Sequence, residues 1–231
     1  MDQTPIMQRT RIKICGLTRP IDVQTAVDSG VDALGFVFYE ASARYVTAQA
    51  VSSMTASLPP FVSKVGLFVN ASLQTIVQTV KIAQLDLLQF HGDESADFCE
   101  TVARTIARPY IRAIGVAPET TPSQLLNLIG QYSSACAVLL DSASISYGGS
   151  GQTFDWSILQ SWNKNTLALP LVLSGGLNAQ NVTEAILRVQ PYAVDVSSGV
   201  EHAPGIKDGA KIKAFLQAVE ATQLGKSNAS W

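Results

Sequence analysis

Two ionisable side chains stand where predicted strands of the sequence end. Cys15 closes a short run from Arg11 in which polar and β-branched residues alternate, and Asp141 follows the four apolar residues from Ala137 to Leu140. A thiol and a carboxyl group can each exchange a proton with a ligand at such a position. Each also has an ordinary structural explanation, because cysteine is among the most buried residue types and aspartate often braces a loop or caps a helix. Cys15 and Asp141 are therefore candidate catalytic residues whose roles depend on what accompanies them.

Three further polar side chains follow other apolar runs and are candidates for binding substrate. Arg44 lies in an otherwise uncharged segment, where its guanidinium could bind a carboxylate through two hydrogen bonds or could simply be solvated. His91 is either a ligand contact or a hydrogen-bonded residue at the rim of a site, and we favour the second role. Asp195 either orients substrate hydroxyls or braces the turn that follows it.

Two turns in the last third of the chain are rich in glycine and serine. Such turns let backbone N–H groups approach an anion closely. One turn alone would be an ordinary connection between a strand and a helix, but two on neighbouring strands predict a phosphate site. We expect Asn178 to open the next helix, and the dipole of that helix would also favour an anion at this place. The predicted phosphate site comprises Gly175, Gly176, Ser197, Ser198 and Gly199.

The elements that must position these residues alternate between short buried strands and helices. The run from Ala33 to Tyr39 is apolar throughout, which is typical of a strand covered on both faces and indicates a parallel sheet. The predicted strands are Arg11 to Cys15, Ala33 to Tyr39, Lys64 to Val69, Leu87 to His91, Tyr110 to Val116, Cys136 to Asp141, Leu169 to Ser174 and Ala193 to Ser197. The predicted helices are Asp22 to Gly30, Thr47 to Leu58, Ser72 to Ala83, Ser95 to Ala107, Pro122 to Ile129, Trp156 to Trp162, Ala179 to Val189 and Lys207 to Leu224.

Eight strands and eight helices predict an α/β fold, a closed (β/α)8 TIM barrel of eight parallel strands ringed by helices. The 231 residues allow about 29 residues for each strand and helix, which suits this barrel. An open doubly wound sheet would normally have fewer strands and a glycine-rich fingerprint after the first strand. In a barrel the active site lies at the carboxyl ends of the strands, which would gather the candidate residues at one rim. We expect one domain over residues 1–231, with a short N-terminal extension at 1–10 and a tail at 225–231.

The overall composition argues against several classes of partner. A formal net charge of −2, from 16 basic and 18 acidic residues without blocks of like charge, does not favour binding to nucleic acid or to an acidic membrane surface. Three widely spaced cysteines and two histidines predict neither a disulfide framework nor a metal site. No apolar run approaches a membrane span, and residues 1–10 lack the apolar core of a signal peptide, so we expect a cytoplasmic protein.

The sequence alone does not decide the roles of two other features. The run Tyr147-Gly148-Gly149-Ser150-Gly151, after Asp141, indicates either a loop that can order over a bound ligand or a plain connector. The fifth predicted strand carries Arg112, to which the sequence assigns no role.

Taken in order along the chain, these residues resemble the phosphoribosylanthranilate isomerase family. The segments that carry the resemblance are Lys13 to Thr18, Asp32 to Phe38, Ser42 to Val46, Gly66 to Asn70, Gln89 to Gly92, Leu140 to Ser142, Tyr147 to Gly151, Phe154 to Trp156, Leu173 to Leu177 and Asp195 to Glu201. They are collinear and span nearly the whole chain, apart from the first residues and the tail. No single segment is decisive, but the ordered set is highly specific.

The resemblance implies an Amadori rearrangement in tryptophan biosynthesis, from the aminoaldose N-(5-phosphoribosyl)anthranilate to the aminoketose 1-(2-carboxyphenylamino)-1-deoxyribulose 5-phosphate. It implies that Asp141 is the general acid that opens the furanose ring and that Cys15 is the general base that removes the proton on the second sugar carbon. Asp141 must then keep its proton near neutral pH, and the thiol needs a modest downward shift from a pKa of about 8.5. Arg44 would take the anthranilate carboxylate, and the glycines after strands seven and eight would bind phosphate. Neither step calls for a metal or a redox cofactor.

Other phosphate-binding barrels are the nearest alternatives within enzymes. Indole-glycerol-phosphate synthase would be expected to show an essential lysine and glutamates at the strand ends, and ribulose-phosphate epimerase would show metal-binding histidines. A catalytically silent barrel that binds a phosphosugar is a third possibility, which nothing in the sequence favours. We expect a small phosphosugar as the binding partner and either a monomer or a homodimer, and a side activity on the histidine-pathway aminoaldose stays open.

Overall fold

Eight parallel strands close into a barrel in the computed structural model, which describes residues 9–143, 153–159 and 169–227. Each strand pairs with the next along the chain, and the eighth closes the ring on the first. The predicted (β/α)8 TIM barrel is therefore confirmed, and an open sheet is excluded. The strands are β1 (Arg11–Cys15), β2 (Ala33–Val37), β3 (Ser63–Phe68), β4 (Leu87–Phe90), β5 (Tyr110–Val116), β6 (Ala137–Ser142), β7 (Leu171–Leu173) and β8 (Ala193–Val196).

Helices follow the strands and cover the outside of the barrel. Four of them begin after a residue whose hydroxyl accepts a hydrogen bond from the backbone N–H three residues further on, which satisfies a donor that the first helical turn leaves unpaired. These capping residues are Thr47, Ser72, Ser95 and Thr121. The helices are α1 (Pro20–Asp28), α2 (Ala48–Met54), α3 (Leu73–Ala83), α4 (Ala96–Ile106), α5 (Pro122–Gly130), α6 (Val182–Val189) and α7 (Gly209–Ser227).

The prediction of eight helices is wrong for the described part of the chain. That part holds seven α-helices, and between β6 and β7 it forms only a short 3-10 helix at Trp156–Leu159. The rest of the helix predicted up to Trp162 lies outside the described residues, as does the glycine-rich run from Tyr147 to Gly151. The strands were predicted more closely, and β1 and β5 have the predicted bounds at both ends.

A two-stranded antiparallel hairpin between β8 and α7 was not predicted. It consists of β9 (Glu201–Ala203) and β10 (Ile206–Lys207), which we call the β9–β10 hairpin. The sequence analysis placed Lys207 at the start of the last helix, and that placement is wrong. The helix begins two residues later because Asp208 Oδ1 accepts hydrogen bonds from the N–H groups of Ala210, at 2.8 Å, and Lys211, at 3.1 Å.

Alternate residues of the strands point into the barrel, as a period of two requires. Six of them on β5 to β8 pack together as an apolar cluster separate from the main core, which lies between the strands and the helices. At the carboxyl end of the barrel, Cys15 packs with Val37 and Leu67. Polar side chains with the same inward direction, among them Lys13 and Asp195, lie near this end, so the barrel is apolar at depth and polar at its mouth. None of the described helices is long and apolar enough to cross a bilayer.

Candidate active site

The thiol of Cys15 lies at the end of β1 beside a glycine of the neighbouring strand. Gly35 on β2 pairs with Cys15 in register. A Cβ atom on Gly35 would lie 2.8 Å from Cys15 Sγ and 3.0 Å from Lys13 Nζ, so glycine leaves the room that both groups need. Cys15 is only 5% exposed. The site therefore contains a buried thiol with an amino group close by.

An ion pair inside the barrel holds that amino group. Lys13 Nζ lies 2.9 Å from Asp195 Oδ1, and both side chains are 5% exposed. Strand pairing sets the contact, because Lys13 on β1 lies opposite Asp195 on β8. Burial works against the charge on Lys13, but the nearby Asp195 carboxylate holds the pKa of the lysine above its usual value. Asp195, predicted to orient substrate or to brace a turn, is here the partner of a buried lysine.

The pKa of the Cys15 thiol lies above its ordinary value, and burial is the main cause. The positive charges of Lys13 and Lys207 act in the opposite direction, but they do not outweigh burial and the Asp195 carboxylate. The expected downward shift is therefore wrong. The sequence showed that the thiol ends a strand, but it did not show how fully the barrel removes the thiol from water.

The carboxyl group of Asp141 lies near the end of β6, beside the exposed Gly115 of β5. Burial, and then the charge of Asp195, raise the pKa of Asp141 to about 6. Its Oδ1 accepts a hydrogen bond from the Ser142 N–H at 2.8 Å, and its Oδ2 lies 3.6 Å from His91 Nε2. The direction of the shift agrees with the expectation that the end of this apolar strand favours a protonated carboxyl.

His91 lies between a buried amide and the Asp141 carboxyl group. Gln89 Nε2 lies 3.0 Å from His91 Nδ1, and Gln89 is fully buried. Burial, together with the positive charges of Lys13 and Arg112, lowers the pKa of His91 to about 4, so the ring is neutral near pH 7. A neutral ring that accepts from the Gln89 amide at Nδ1 carries its proton on Nε2, the nitrogen that faces Asp141. The interpretation of His91 as a hydrogen-bonded rim residue fits this geometry.

The two glycine and serine turns after β7 and β8 line one small cavity together with Asp141 and Asp195. Gly175 and Gly176 have φ angles of +85° and +60°, a conformation that glycine adopts readily. Among the described residues, neither of their N–H groups donates a hydrogen bond. A Cβ atom on Gly199 would clash with the backbone oxygen of Leu177, so this glycine lets the two turns touch. The predicted phosphate residues are thus brought together at one place.

Asn178 does not open a helix, contrary to the prediction. Its Oδ1 accepts hydrogen bonds from the N–H groups of Gln180, at 2.9 Å, and Asn181, at 3.2 Å, and so it closes a turn. The helix α6 starts at Val182 instead of Ala179. Its N-terminus is therefore further along the chain from the glycine turn than the sequence indicated.

Arg44 lies beside the thiol, and one edge of its guanidinium is already paired. A Cβ atom on Gly16 would clash with Arg44 Cδ, so the arginine stem lies over the residue that follows Cys15. Arg44 Nε and Nη2 each lie 2.8 Å from an oxygen of Glu201, in the β9–β10 hairpin. The residue predicted to bind a substrate carboxylate therefore holds a carboxylate of its own chain through two hydrogen bonds.

A second cation, Lys207, binds the Glu201 oxygen that also accepts from Arg44 Nε. Lys207 Nζ lies 2.8 Å from Glu201 Oε1 and 3.1 Å from the backbone oxygen of Ser197, which belongs to the predicted phosphate site. The Lys207 side chain is fully buried, and that of Glu201 is 5% exposed. The Glu201 carboxylate thus connects Arg44 to the turn after β8.

Comparison with known proteins assigns the chain to a family. A sequence model described as N-(5'phosphoribosyl)anthranilate (PRA) isomerase matches residues 12–218. The chain belongs to this family. It is 51% identical over 218 residues to the N-(5'-phosphoribosyl)anthranilate isomerase of Herminiimonas arsenicoxydans, a match that covers 93% of this chain and 94% of that protein.

Solved structures of PRA isomerases give the same assignment. The enzyme from Thermotoga maritima has a TM-score of 0.83 and 41% identity, over 92% of this chain and 99% of that one. A phosphoribosyl anthranilate isomerase in complex with reduced 1-(o-carboxyphenylamino)-1-deoxyribulose 5-phosphate has a TM-score of 0.80 and 38% identity, again over 92% and 99% of the two chains. The family resemblance drawn from the sequence, and with it the class of isomerase, is confirmed.

Arg112 now has a structural role on the outer side of the PRA isomerase barrel. Its Nη1 lies 2.8 Å from Glu94 Oε2, and its Nη2 lies 2.7 Å from the backbone oxygen of Gly92. Glu94 Oε1 also accepts a hydrogen bond from the Asn70 N–H at 2.7 Å. This buried pair therefore braces the loops after β3 and β4, including the residue that follows His91.

Four residues of the site were not predicted, namely Lys13, Gln89, Glu201 and Lys207. Lys13 and Gln89 did carry a signal, because each is a polar residue two positions before a candidate residue and so faces the same side of its strand. Glu201 and Lys207 could not be found in this way, since the β9–β10 hairpin was not predicted. Within the described ranges, no cluster of three or more His, Cys, Asp or Glu side chains is arranged to hold a metal ion.

Proposed function

We propose that this chain converts N-(5'-phosphoribosyl)anthranilate into 1-(2-carboxyphenylamino)-1-deoxyribulose 5-phosphate, a step of tryptophan biosynthesis, with Asp141 as the general acid and Cys15 as the general base. The observation that carries these roles is the presence, at one mouth of the barrel, of a buried thiol and of a carboxyl group with a pKa of about 6. Both lie in a chain of the PRA isomerase family.

The acid step opens the furanose ring. The proton on Asp141 passes to the ring oxygen, the bond between that oxygen and the first sugar carbon breaks, and the amine nitrogen supplies the electron pair that forms an iminium ion. A carboxyl group with a pKa of about 6 keeps part of its population protonated near neutral pH. His91 Nε2 lies 3.6 Å from Oδ2, just beyond hydrogen-bond distance, and a small movement would let the carboxylate that remains accept a hydrogen bond from this ring.

The base step follows on the iminium ion. Cys15 removes the proton on the second sugar carbon, those electrons form a double bond to the first carbon, and the nitrogen recovers its electron pair. The resulting enaminol takes a proton at the first carbon and loses one from its hydroxyl to give the ketone. Since burial raises the thiol pKa, the thiolate needs a positive charge nearby. Lys13 supplies one such charge, and the iminium ion supplies another only after the acid has acted.

The remaining residues hold the substrate at its two ends. The N–H groups of Gly175 and Gly176, with the turn of Ser197, Ser198 and Gly199, are suited to the phosphate. Arg44 would bind the anthranilate carboxylate through Nη1 and the second N–H of Nη2, because Glu201 occupies the other edge. Asp195 would meet the sugar hydroxyls with the oxygen that does not contact Lys13, and His91 would contact the sugar beside Asp141.

The partner is accordingly a small phosphosugar, and we place the chain in the cytoplasm and expect a monomer or a homodimer. One similar structure is described as monomers generated from a dimeric phosphoribosylanthranilate isomerase of Thermotoga maritima, at 38% identity and a TM-score of 0.79. In the present chain Phe61 is 98% exposed, so its ring is available for contact with a second copy. Analytical ultracentrifugation of Phe61→Ser beside the parent chain would decide between the two states.

An isomerase assay tests the proposed activity. Freshly made N-(5'-phosphoribosyl)anthranilate is added to the purified chain, and the loss of anthranilate-type fluorescence is followed against time. We expect turnover at catalytic concentrations of the chain. A rate equal to that of the uncatalysed reaction would exclude the proposed function.

A further inference from the structure

A buried chain of charged groups connects the two ends of the proposed substrate site. It runs from Arg44 through the Glu201 carboxylate to Lys207 Nζ and on to the backbone of Ser197, with each separation between 2.8 and 3.1 Å. Arg44 belongs to the proposed carboxylate end and Ser197 to the proposed phosphate end. Glu201 takes no part in the acid or base step, and Lys207 contributes to the base step only through its positive charge near Cys15, so the buried pairing of the two residues calls for another explanation.

We propose that Glu201 and Lys207 are positioning residues that set the specificity of the site for a substrate carrying a carboxylate at one end and a phosphate at the other. This inference rests on the proposed function. The Glu201 carboxylate fixes the plane of the Arg44 guanidinium and leaves its Nη1 edge for the substrate. Lys207 fixes the position of Ser197 relative to that plane.

The charge balance of the cluster supports this role. Arg44 and Lys207 carry two positive charges and Glu201 carries one negative charge, so one positive charge remains for an anionic substrate. Burial opposes the charged form of Glu201, but the hydrogen bonds from Arg44 and the charge of Lys207 lower its pKa below the usual value. Because Arg44 and Glu201 form a planar pair with two parallel hydrogen bonds, the guanidinium cannot turn without breaking both.

The packing around the cluster also points to positioning. The Arg44 stem crosses Gly16, which admits no Cβ atom there, and Ser197 Oγ lies 3.1 Å from the place where that atom would be. Lys211 Nζ lies 2.7 Å from the backbone oxygen of Glu201, so the residue is held by its main chain as well as by its carboxylate. The separation of the two substrate anchors is therefore fixed before a ligand binds.

The test compares two ligands that differ only in the carboxylate. Reduced 1-(o-carboxyphenylamino)-1-deoxyribulose 5-phosphate and its counterpart with an unsubstituted phenyl ring are titrated calorimetrically into the parent chain and into Glu201→Gln. We expect the preference of the parent chain for the carboxylated ligand to fall about tenfold or more in Glu201→Gln, the size expected when a charge-assisted pair is lost. An unchanged or increased preference would overturn the role of Glu201.

Two further variants keep the test decisive. Glu201→Asp keeps the buried negative charge, but its side chain is one methylene shorter and does not reach both Arg44 nitrogens, so we expect a smaller fall in the same preference. This variant carries the test if Glu201→Gln does not fold. Asp22→Asn is the matched control, because Asp22 Oδ2 accepts from the Lys207 N–H at 3.2 Å and touches the hairpin without reaching Arg44. It should keep the parent preference. An equal fall in Asp22→Asn would show a loosened hairpin and would overturn the proposal.

Lys207 is tested at the phosphate end. In Lys207→Met, the affinity for inorganic phosphate, measured by calorimetry, should weaken by about tenfold, with a smaller change in the preference for the carboxylate. An unchanged affinity for phosphate would remove Lys207 from its role. Because these readouts are binding constants, a parent chain that binds with this selectivity but shows no turnover would refute the proposed function and leave the positioning inference standing.

Discussion

The thiol and the carboxyl group at the mouth of the barrel are buried almost equally. Burial nevertheless favours the proposed role of the carboxyl group as an acid and opposes the proposed role of the thiol as a base. Cys15 is 5% exposed and Asp141 is 8% exposed. For both groups, removal from water raises the pKa. A general acid profits, because it must hold its proton near neutral pH, whereas a general base must lose its proton.

The surroundings of the two groups differ in a way that fits this contrast. Around Asp141 the nearest titratable partner is His91, a neutral ring, and Asp195 adds a negative charge that favours the protonated acid. Around Cys15 the barrel places two lysines, Lys13 and Lys207, whose charges favour the thiolate. Lys13 and Asp195 act on the pKa of both groups, but Asp195 outweighs Lys13 at Asp141, whereas Lys13 outweighs Asp195 at Cys15, so the charges favour the protonated carboxyl at one end and the thiolate at the other.

The largest effect should come from removing either group. Cys15→Ala and Asp141→Asn should each lower kcat by about 10²- to 10⁴-fold, the range for a lost general base or acid, while thermal unfolding and phosphate inhibition stay near those of the parent. The measurement is steady-state turnover beside circular dichroism. Cys136→Ser is the control for thiol loss, because Cys136 is an exposed cysteine outside the site. Parent-like turnover in either site variant would remove that residue from the mechanism.

Replacing Lys13, the lysine beside the proposed base, should lower both the stability of the fold and the reactivity of the Cys15 thiol. Lys13→Met leaves Asp195 as an unpaired buried charge, which should lower the free energy of unfolding by about 3–5 kcal/mol. Without the Lys13 charge the thiol pKa should rise further, so alkylation of Cys15 by iodoacetamide should slow at pH 8. Urea unfolding and the rate of alkylation measure the two effects.

A second buried ion pair, on the outer side of the barrel, provides a control that separates the loss of stability from the loss of thiol reactivity. Glu94 and Arg112 form an ion pair with side chains 2% and 9% exposed, a burial close to that of Lys13 and Asp195. Glu94→Gln should therefore lower the free energy of unfolding by a similar amount but leave the alkylation rate of Cys15 unchanged. If both variants slowed alkylation equally, loosened packing would explain the result, and the assistance assigned to Lys13 would be refuted.

Arg44→Ala should act mainly on binding. Loss of the guanidinium removes the contact with the substrate carboxylate, so KM should rise by about ten- to a hundredfold, with a smaller fall in kcat. Steady-state kinetics at several substrate concentrations measure both constants. A fall in kcat with KM unchanged would contradict carboxylate binding by Arg44.

The smallest expected effect is on the pH dependence of kcat/KM, which distinguishes the proposed acid from the proposed base. The active form needs Asp141 protonated and Cys15 ionised. With the acid pKa at about 6 and the thiol pKa raised by burial, kcat/KM should rise with pH up to about 6, stay level, and fall only above the thiol pKa. Since His91 has a pKa of about 4, His91→Asn should keep the change of slope near pH 6. Disappearance of this feature in His91→Asn would assign it to the histidine.

The strands and the residues at their ends could be predicted from the sequence, because buried parallel strands leave long apolar runs and the barrel gathers their carboxyl ends at one rim. Cys15 and Asp141 were found in this way. The pairing of Lys13 with Asp195 was not, because it depends on the register of the first and last strands, which only closure of the ring sets. The Arg44 pair was missed for a similar reason, since Glu201 lies 157 residues away on an unpredicted hairpin.

The raised pKa of Cys15 is a further property that could not be predicted from the sequence. A strand end is visible in the sequence, but the balance between burial, two lysines and the Asp195 carboxylate depends on distances among β1, β8 and the β9–β10 hairpin. Local patterns therefore indicated the proposed acid and the proposed base, whereas the direction of the pKa shift of the thiol depended on the whole ring.

A crystal structure of this chain with reduced 1-(o-carboxyphenylamino)-1-deoxyribulose 5-phosphate would test the central claim most directly. If the thiol and the carboxyl group act as base and acid, Asp141 Oδ2 should lie about 2.6–3.2 Å from the oxygen that derives from the furanose ring, and Cys15 Sγ should lie against the second sugar carbon. A ligand bound with its phosphate at Gly175 and Gly176 but with either side chain out of reach of its atom would contradict the proposed transfer of protons.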